Sequence, residues 1–166
     1  MHLPEGFPIA PMLARAVASI PDAAGLSYEP KWDGFRAIAY VDGSDVELDS
    51  RGSKPLTRYF PELVAEFTRQ LPVPCVIDGE IVVRLGPAGN ERLDWEALSQ
   101  RIHPAQSRIL RLAHETPADF VAFDLLYVDG RSLKDEPFEL RRLALEALFD
   151  TLEAPLHITR DRKSVV

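Results

Sequence analysis

Glu29-Pro30-Lys31-Trp32-Asp33-Gly34, followed directly by Phe35-Arg36, is the stretch from which the rest of the chain is read. It sets an amine just ahead of Asp-Gly, a turn-forming pair, at the edge of an apolar β-like run. Carboxylates stand two residues before and two residues after the lysine, and a guanidinium follows five residues on. A lysine in an ordinary solvated turn needs none of these neighbours.

Outward from this hexad the pattern is that of strands interleaved with helices. Residues 36–41 alternate and are rich in β-formers, Asp42-Gly43 marks a hairpin turn, and residues 46–50 return as a strand. After a basic loop, apolar residues at 60, 63, 64, 67 and 71 have helical spacing, with Pro61 in the first turn. Residues 73–84 carry apolar runs on both sides of Asp78-Gly79-Glu80, an acidic interruption that costs free energy unless the acids are paired or used. Residues 85–91 read as a loop. Residues 93–102 form an amphipathic stretch with Asp94 near its start, and 107–113 predict another turn or two of helix. Residues 120–128 are a strand broken only by Asp124, and Asp129-Gly130 is the following turn. Residues 137–152 predict a long amphipathic helix, and 157–159 begin another strand. Before the hexad, Pro4, Pro8 and Pro11 precede a short helical stretch at 12–18, an arm laid over a core. Strands joined partly by hairpins and mixed with helices predict an α+β fold.

At 166 residues the chain suits one domain with a real core. No apolar run approaches the ~18 residues needed to span a bilayer, and the N-terminus lacks signal-peptide regions, so the expected compartment is the cytoplasm. Cys75 lies in an apolar run and reads as a buried structural thiol. The net charge of −7 argues weakly against a polyanionic partner. Positive charge nevertheless gathers at Arg51, Lys54 and Arg58, and again at Arg101, His103, Arg108, Arg111 and His114, which allows a basic face, with scattered solvated arginines the alternative for the second cluster.

A lysine amine is nucleophilic only when deprotonated, a state favoured by desolvation or nearby cations. Attack on the α-phosphate of a nucleoside triphosphate also needs positive groups and a metal ion around the phosphates. Arg36 and Arg51 are candidates for the first; Asp33 and Glu80 for the second, since Mg²⁺ takes a few carboxylates plus phosphate oxygens and water. Gly34 lets the backbone turn tightly beside a ligand. Phe123, in Phe123-Asp124-Leu125-Leu126, offers a ring to a purine base, although a core position is the simpler reading for that residue alone.

In this order, the hexad with Phe35-Arg36 resembles motif I of the covalent nucleotidyltransferases, the superfamily of ATP-dependent DNA ligases, RNA ligases and capping enzymes. Ser50-Arg51 resembles motif Ia, Asp78-Gly79-Glu80 the acidic strand, and Phe120-Val121-Ala122-Phe123-Asp124 motif III. Pro11-Met12-Leu13-Ala14 and Gln100-Arg101-Ile102-His103-Pro104 look like the bacterial ATP-dependent DNA ligases of the C and D types. The resemblance implies an ATP-grasp-like adenylation domain with antiparallel or mixed sheets flanked by helices. It implies that Lys31 forms a lysyl–AMP phosphoramidate, that Glu29 accepts from the adenine amino group, and that Phe123 stacks on the base. Arg36 and Arg51 would contact ribose and phosphate, and Glu80 the ribose or the metal, with Asp33 holding the Lys31 loop in shape as an alternative to binding metal. ATP, Mg²⁺ or Mn²⁺ and nicked double-stranded DNA follow as cofactors and partner, with a place in DNA repair and recombination. The family's Glu-Gly segment (motif IV), Lys-x-Lys segment (motif V) and oligonucleotide-binding fold are not found after Tyr127, so residues 1–166 are expected to be the N-terminal portion of the domain. A nucleotide- or DNA-binding remnant without turnover, and guanylyl transfer of the capping type, are the alternatives.

Overall fold

Alternation along residues 35–50 builds the first hairpin, and everything else is laid against it. The computed structural model describes residues 8–163. Its strands and helices run in the order β1 (Ser27–Tyr28), β2 (Phe35–Asp42), β3 (Asp45–Ser50), α1 (Pro61–Gln70), β4 (Cys75–Leu85), β5 (Arg92–Leu93), α2 (Trp95–Gln100), α3 (Gln106–Glu115), β6 (Ala118–Val128), β7 (Arg131–Ser132), α4 (Phe138–Phe149), β8 (Leu156–Ile158) and β9 (Arg162–Lys163). The main sheet has the order β3-β2-β4-β6-β7, antiparallel throughout, with β5 paired to β4 and β8 added parallel to β6. The fold is α+β with a mixed sheet, as the pattern predicts.

Side chains alternate across each strand, so the sheet has two chemically distinct faces. One face carries Ala37, Ala39, Cys75, Ile77, Ile81, Phe120 and Ala122, and packs with Leu63 and Phe67 of α1 and Leu145 and Phe149 of α4 into the main core. Burial there pushes the Cys75 thiol up to about 12, consistent with an inert structural cysteine. Gly79 belongs to this face because Phe120 fills the space a side chain needs: a Cβ there meets the ring at 2.4 Å. The other face carries a small apolar cluster of Ile38, Tyr40, Val76 and Leu126, and beside it Arg36, Asp78 and Glu80.

Strand β4 runs unbroken through Asp78-Gly79-Glu80, so the acidic pair interrupts the apolar pattern without interrupting the strand. Its pairing with β6 contains two register shifts, and Phe123 falls at one of them, between Ala122 opposite Gly79 and Asp124 opposite Asp78. Such irregularities re-aim side chains and recur beside functional sites.

Two expectations are overturned. Residues 12–18 are not helical. Met12, Leu13 and Val17 are exposed, so no apolar face is buried there to repay the cost of nucleating a helix. Arg101 is not part of a basic face: it is fully buried, donating to Glu62 from Nη1 at 2.5 Å and Nη2 at 2.9 Å and to the carbonyls of Tyr59 and Thr116. The ring of Phe60 lies 4.9 Å from its guanidinium carbon. Arginine reads as a surface residue in sequence, but its planar fork can be satisfied inside a core.

Removing one member of this pair strands the other charge. Glu62→Gln is expected to lower unfolding stability by about 3 kcal/mol in urea titration; a midpoint within about 0.5 kcal/mol of the parent contradicts the role given to the pair.

Candidate active site

On the second face of the sheet a cleft of about 970 Å³ is lined by Glu29, Lys31, Asp33, Arg36, Arg51, Glu80 and Phe123, together with Leu13, Ala14 and Trp95. All seven of the charged and aromatic residues singled out from the sequence therefore meet in one place, although they come from four separate segments of the chain.

The Lys31 loop crosses the sheet at contact distance. A Cβ on Gly34 would lie 2.2 Å from the Ile81 carbonyl oxygen, closer than any side chain tolerates, so only glycine permits this path. The Gly34 N–H donates to Glu80 Oε1 at 3.0 Å, and the Trp32 indole N–H donates to Thr159 Oγ1 at 2.9 Å. Held at Trp32 and Gly34, the loop leaves Lys31 projecting into the open, its side chain 85% exposed. Lys31 Nζ donates to Asp33 Oδ1, and this bond raises the amine above its ordinary value. In this state the lysine is a protonated, paired cation, the opposite of the deprotonated amine that nucleophilic attack needs.

Arg36 opposes Glu80 across β2 and β4 but forks diagonally to Asp78, with Nε to Oδ1 at 2.6 Å and Nη2 to Oδ2 at 2.7 Å. Its guanidinium carbon lies 4.5 Å from the centroid of the Phe123 ring. The partners respond unequally because Asp78 is the more deeply buried, its side chain 6% exposed against 26% for Arg36. Burial raises the Asp78 carboxyl despite Arg36, whereas for Arg36 burial is outweighed by the bonds to Asp78 and the guanidinium holds its proton more firmly than usual. Glu80 is likewise raised by burial, against the opposing effects of the Gly34 N–H and Arg36. Glu29 is raised by burial, with Arg142 pulling the other way.

Arg51 sits in the tight turn after β3, where Ser53 N–H donates to the Ser50 carbonyl at 2.8 Å and Ser53 adopts a φ of 54°. Trp95, at the start of α2 and edge-on to Phe35 at 5.4 Å, forms a wall of the cleft that sequence reading did not anticipate. Asp94, N-cap of α2, accepts from the Ala97 N–H at 2.8 Å and so fixes where Trp95 begins the helix. Among the described residues no group of three or more histidines, cysteines and carboxylates is arranged to hold a metal ion. Glu80 and Asp33 both line the cleft, a donor set suited to Mg²⁺ held chiefly by phosphate oxygens and water.

The cleft brings together a lysine, two arginines, carboxylates and an aromatic ring, a set chemically suited to a phosphorylated aromatic ligand. Comparison with known proteins makes this specific. Residues 11–164 match the ATP dependent DNA ligase domain, and the chain belongs to that family. It is 55% identical over 161 residues to DNA ligase C1 of Mycolicibacterium smegmatis, covering 96% of this chain and 46% of that protein. It is 55% identical over 145 residues to DNA ligase C of Mycobacterium tuberculosis, covering 87% of this chain and 39% of that protein. Among solved structures, the ligase domain of M. tuberculosis LigD superposes with a TM-score of 0.63 at 30% identity, over 81% of this chain and 40% of that one. A mycobacterial DNA ligase D complexed with ATP and MES superposes with a TM-score of 0.57 at 28% identity, over 87% of this chain and 44% of that one. The chain thus spans less than half the length of these relatives.

Because Asp33 stabilises the ammonium form of Lys31, Asp33→Asn is expected to lower the pH at which the amine loses its proton. NMR titration of ¹³C-methylated lysines, with Lys31 assigned from Lys31→Arg, reads this directly. An unchanged midpoint contradicts the pairing.

Proposed function

We propose that this chain carries the first chemical step of an ATP-dependent DNA ligase, with Lys31 as the nucleophile that takes AMP from ATP. The observation that carries this reading is that Glu29, Lys31, Arg36, Arg51, Glu80 and Phe123 line one cleft. On this reading the Lys31 Nζ lone pair attacks the α-phosphorus, an N–P bond forms, and the P–O bond to pyrophosphate breaks. The ammonium first gives its proton to solvent, so the Lys31–Asp33 pair must separate before attack. Once parted from Lys31, the Asp33 carboxylate would be available to help hold a cation at the phosphates.

Phe123 supplies a stacking surface for adenine. Arg36 covers one face of that ring, so a base takes the opposite face or displaces the guanidinium. Glu29 accepts from the adenine amino group. Arg36 retains Nη1 for the ribose, since Nε and Nη2 are committed to Asp78. Arg51, in an exposed turn at the edge of the cleft, faces the phosphates. A divalent cation, Mg²⁺ or Mn²⁺, supplies charge neutralisation at the phosphates when bound, with Glu80 and Asp33 as the carboxylates at hand. Catalysis of this kind rests on positioning and charge stabilisation more than on proton transfer.

Residues 1–166 are on this reading the N-terminal portion of an adenylation domain. For a protein of its relatives' length we infer the two further steps: AMP passes to a 5′-phosphate at a DNA nick, and a 3′-hydroxyl displaces it to seal the strand. That places the activity in DNA repair and recombination in the cytoplasm.

The test is incubation with radiolabelled ATP and Mg²⁺ or Mn²⁺, both for this chain and for a chimera carrying the distal half of M. smegmatis DNA ligase C1. Acid-labile AMP is expected on the protein and none on Lys31→Ala. No label on either form, or label that survives Lys31→Ala, overturns the assignment, and labelling by GTP in place of ATP moves it to guanylyl transfer.

A further inference from the structure

The Lys31 loop is tied down by a residue outside the roles described above. Thr159 follows β8, is fully buried, and commits its N–H, hydroxyl and carbonyl to three different parts of the fold. Its N–H donates to the Ala122 carbonyl of β6 at 2.8 Å. Its Oγ1 accepts from the indole N–H of Trp32 at 2.9 Å, across 127 residues of sequence. Its carbonyl accepts from Arg142 Nη2 of α4 at 2.8 Å.

Arg142 is itself unusual, a guanidinium only 6% exposed. Its Nε donates to Glu146 Oε1 at 2.7 Å, and its Nη1 lies 3.4 Å from Glu29 Oε1. Trp32 and Glu29 flank Lys31 in the chain, so both arms of the loop converge on the same Arg142–Thr159 junction. A part-buried indole N–H is best satisfied by an acceptor, and a threonine hydroxyl whose backbone is pinned on both sides is a rigid one. Beyond Asp33, the loop is held again by the Gly34 N–H on Glu80. With its neighbours fixed, Lys31 is the residue left to move.

We propose that Thr159, braced by Arg142, is a positioning residue that holds the Lys31 loop across the sheet by fixing the Trp32 indole. Its effect on catalysis rests on the reading of Lys31 as the nucleophile; its effect on the loop does not. Preorganisation of a nucleophile by groups that never touch the substrate is a recognised contribution to rate, since a small misplacement is costly.

Thr159→Val keeps the branched shape of the side chain and removes the acceptor. In ¹H–¹⁵N spectra of the intact chain, with the indole signals assigned through Trp95→Phe, the Trp32 indole proton is expected to shift upfield. The Gly34 amide is expected to exchange with solvent at least tenfold faster. Thr159→Ser, which restores the hydroxyl, returns both signals toward the parent. If Thr159→Val fails to melt cooperatively, Trp32→Phe breaks the same bond from the donor side and is expected to release the Gly34 amide in the same way. An unshifted indole, or a Gly34 amide as protected as in the parent, overturns the proposal. Where the parent takes up AMP, the attachment rate should fall about tenfold in Thr159→Val with KM for ATP within about twofold, and recover in Thr159→Ser. An unaltered rate with a displaced loop makes the tie structural only and overturns the positioning role. If neither the parent nor the chimera takes up AMP, the nucleophile is refuted while the indole and amide still decide the tie.

Discussion

The contact between the backbone at Gly34 and β4 is the constraint on which the site depends. With a Cβ position only 2.2 Å from the Ile81 carbonyl, the chain passes over the strand at a distance no other residue allows. From that crossing Phe35 and Arg36 enter β2 opposite Ile81 and Glu80, and the register of the central sheet follows. Moving the crossing away from β4 releases the Gly34 N–H from Glu80, alters the register that sends Arg36 to Asp78, and carries Lys31 off the cleft. Local backbone chemistry, sheet register and the placement of the lysine are here one feature.

Electrostatics explains why the crossing is worth its cost. Asp78 and Glu80 are carboxylates within a central strand, and burial works against the charge on both. Arg36 answers Asp78 with a two-pronged bond, and the Gly34 N–H answers Glu80. Neither acid is fully neutralised, since both remain raised. A strand carrying such groups suits a site that receives cations and hydroxyls with its ligand. Lys31 shows the complementary condition: it is matched to Asp33, which favours its charged form. The cleft thus holds Arg36 paired to Asp78, Gly34 to Glu80 and Lys31 to Asp33, with burial of the two strand acids only partly offset.

Much of this was legible in the sequence because it is local or periodic. The β2–β3 hairpin announces itself through alternation and Asp42-Gly43, and the spacing of 60, 63, 64, 67 and 71 gives α1 with Pro61 at its start. Apart from Trp95, the charged and aromatic residues that line the cleft were readable because motif order carries the information that spacing along one element cannot. What was not legible depends on tertiary partners. The helical pattern at 12–18 lacks a face to bury, and Arg101 is buried because Glu62, Tyr59, Phe60 and Thr116 surround it. The irregularity that frees Phe123 from the β4 register has no sequence signature, because it is set by how β4 and β6 pair. Thr159 lies 127 residues from its Trp32 partner, beyond the reach of any periodicity. Side chains that line the cleft were easier to find than those that hold them in place.

The most direct test of the central claim, that the Gly34 crossing delivers Lys31 to a nucleotide held in the cleft, is a crystal structure of the chain with ATP. Adenine is expected against the ring of Phe123 with Glu29 at its amino group, and the α-phosphate beside Lys31 with the Lys31–Asp33 pair broken. ATP bound outside the cleft, or seated in it with the α-phosphate out of reach of Lys31, contradicts the claim.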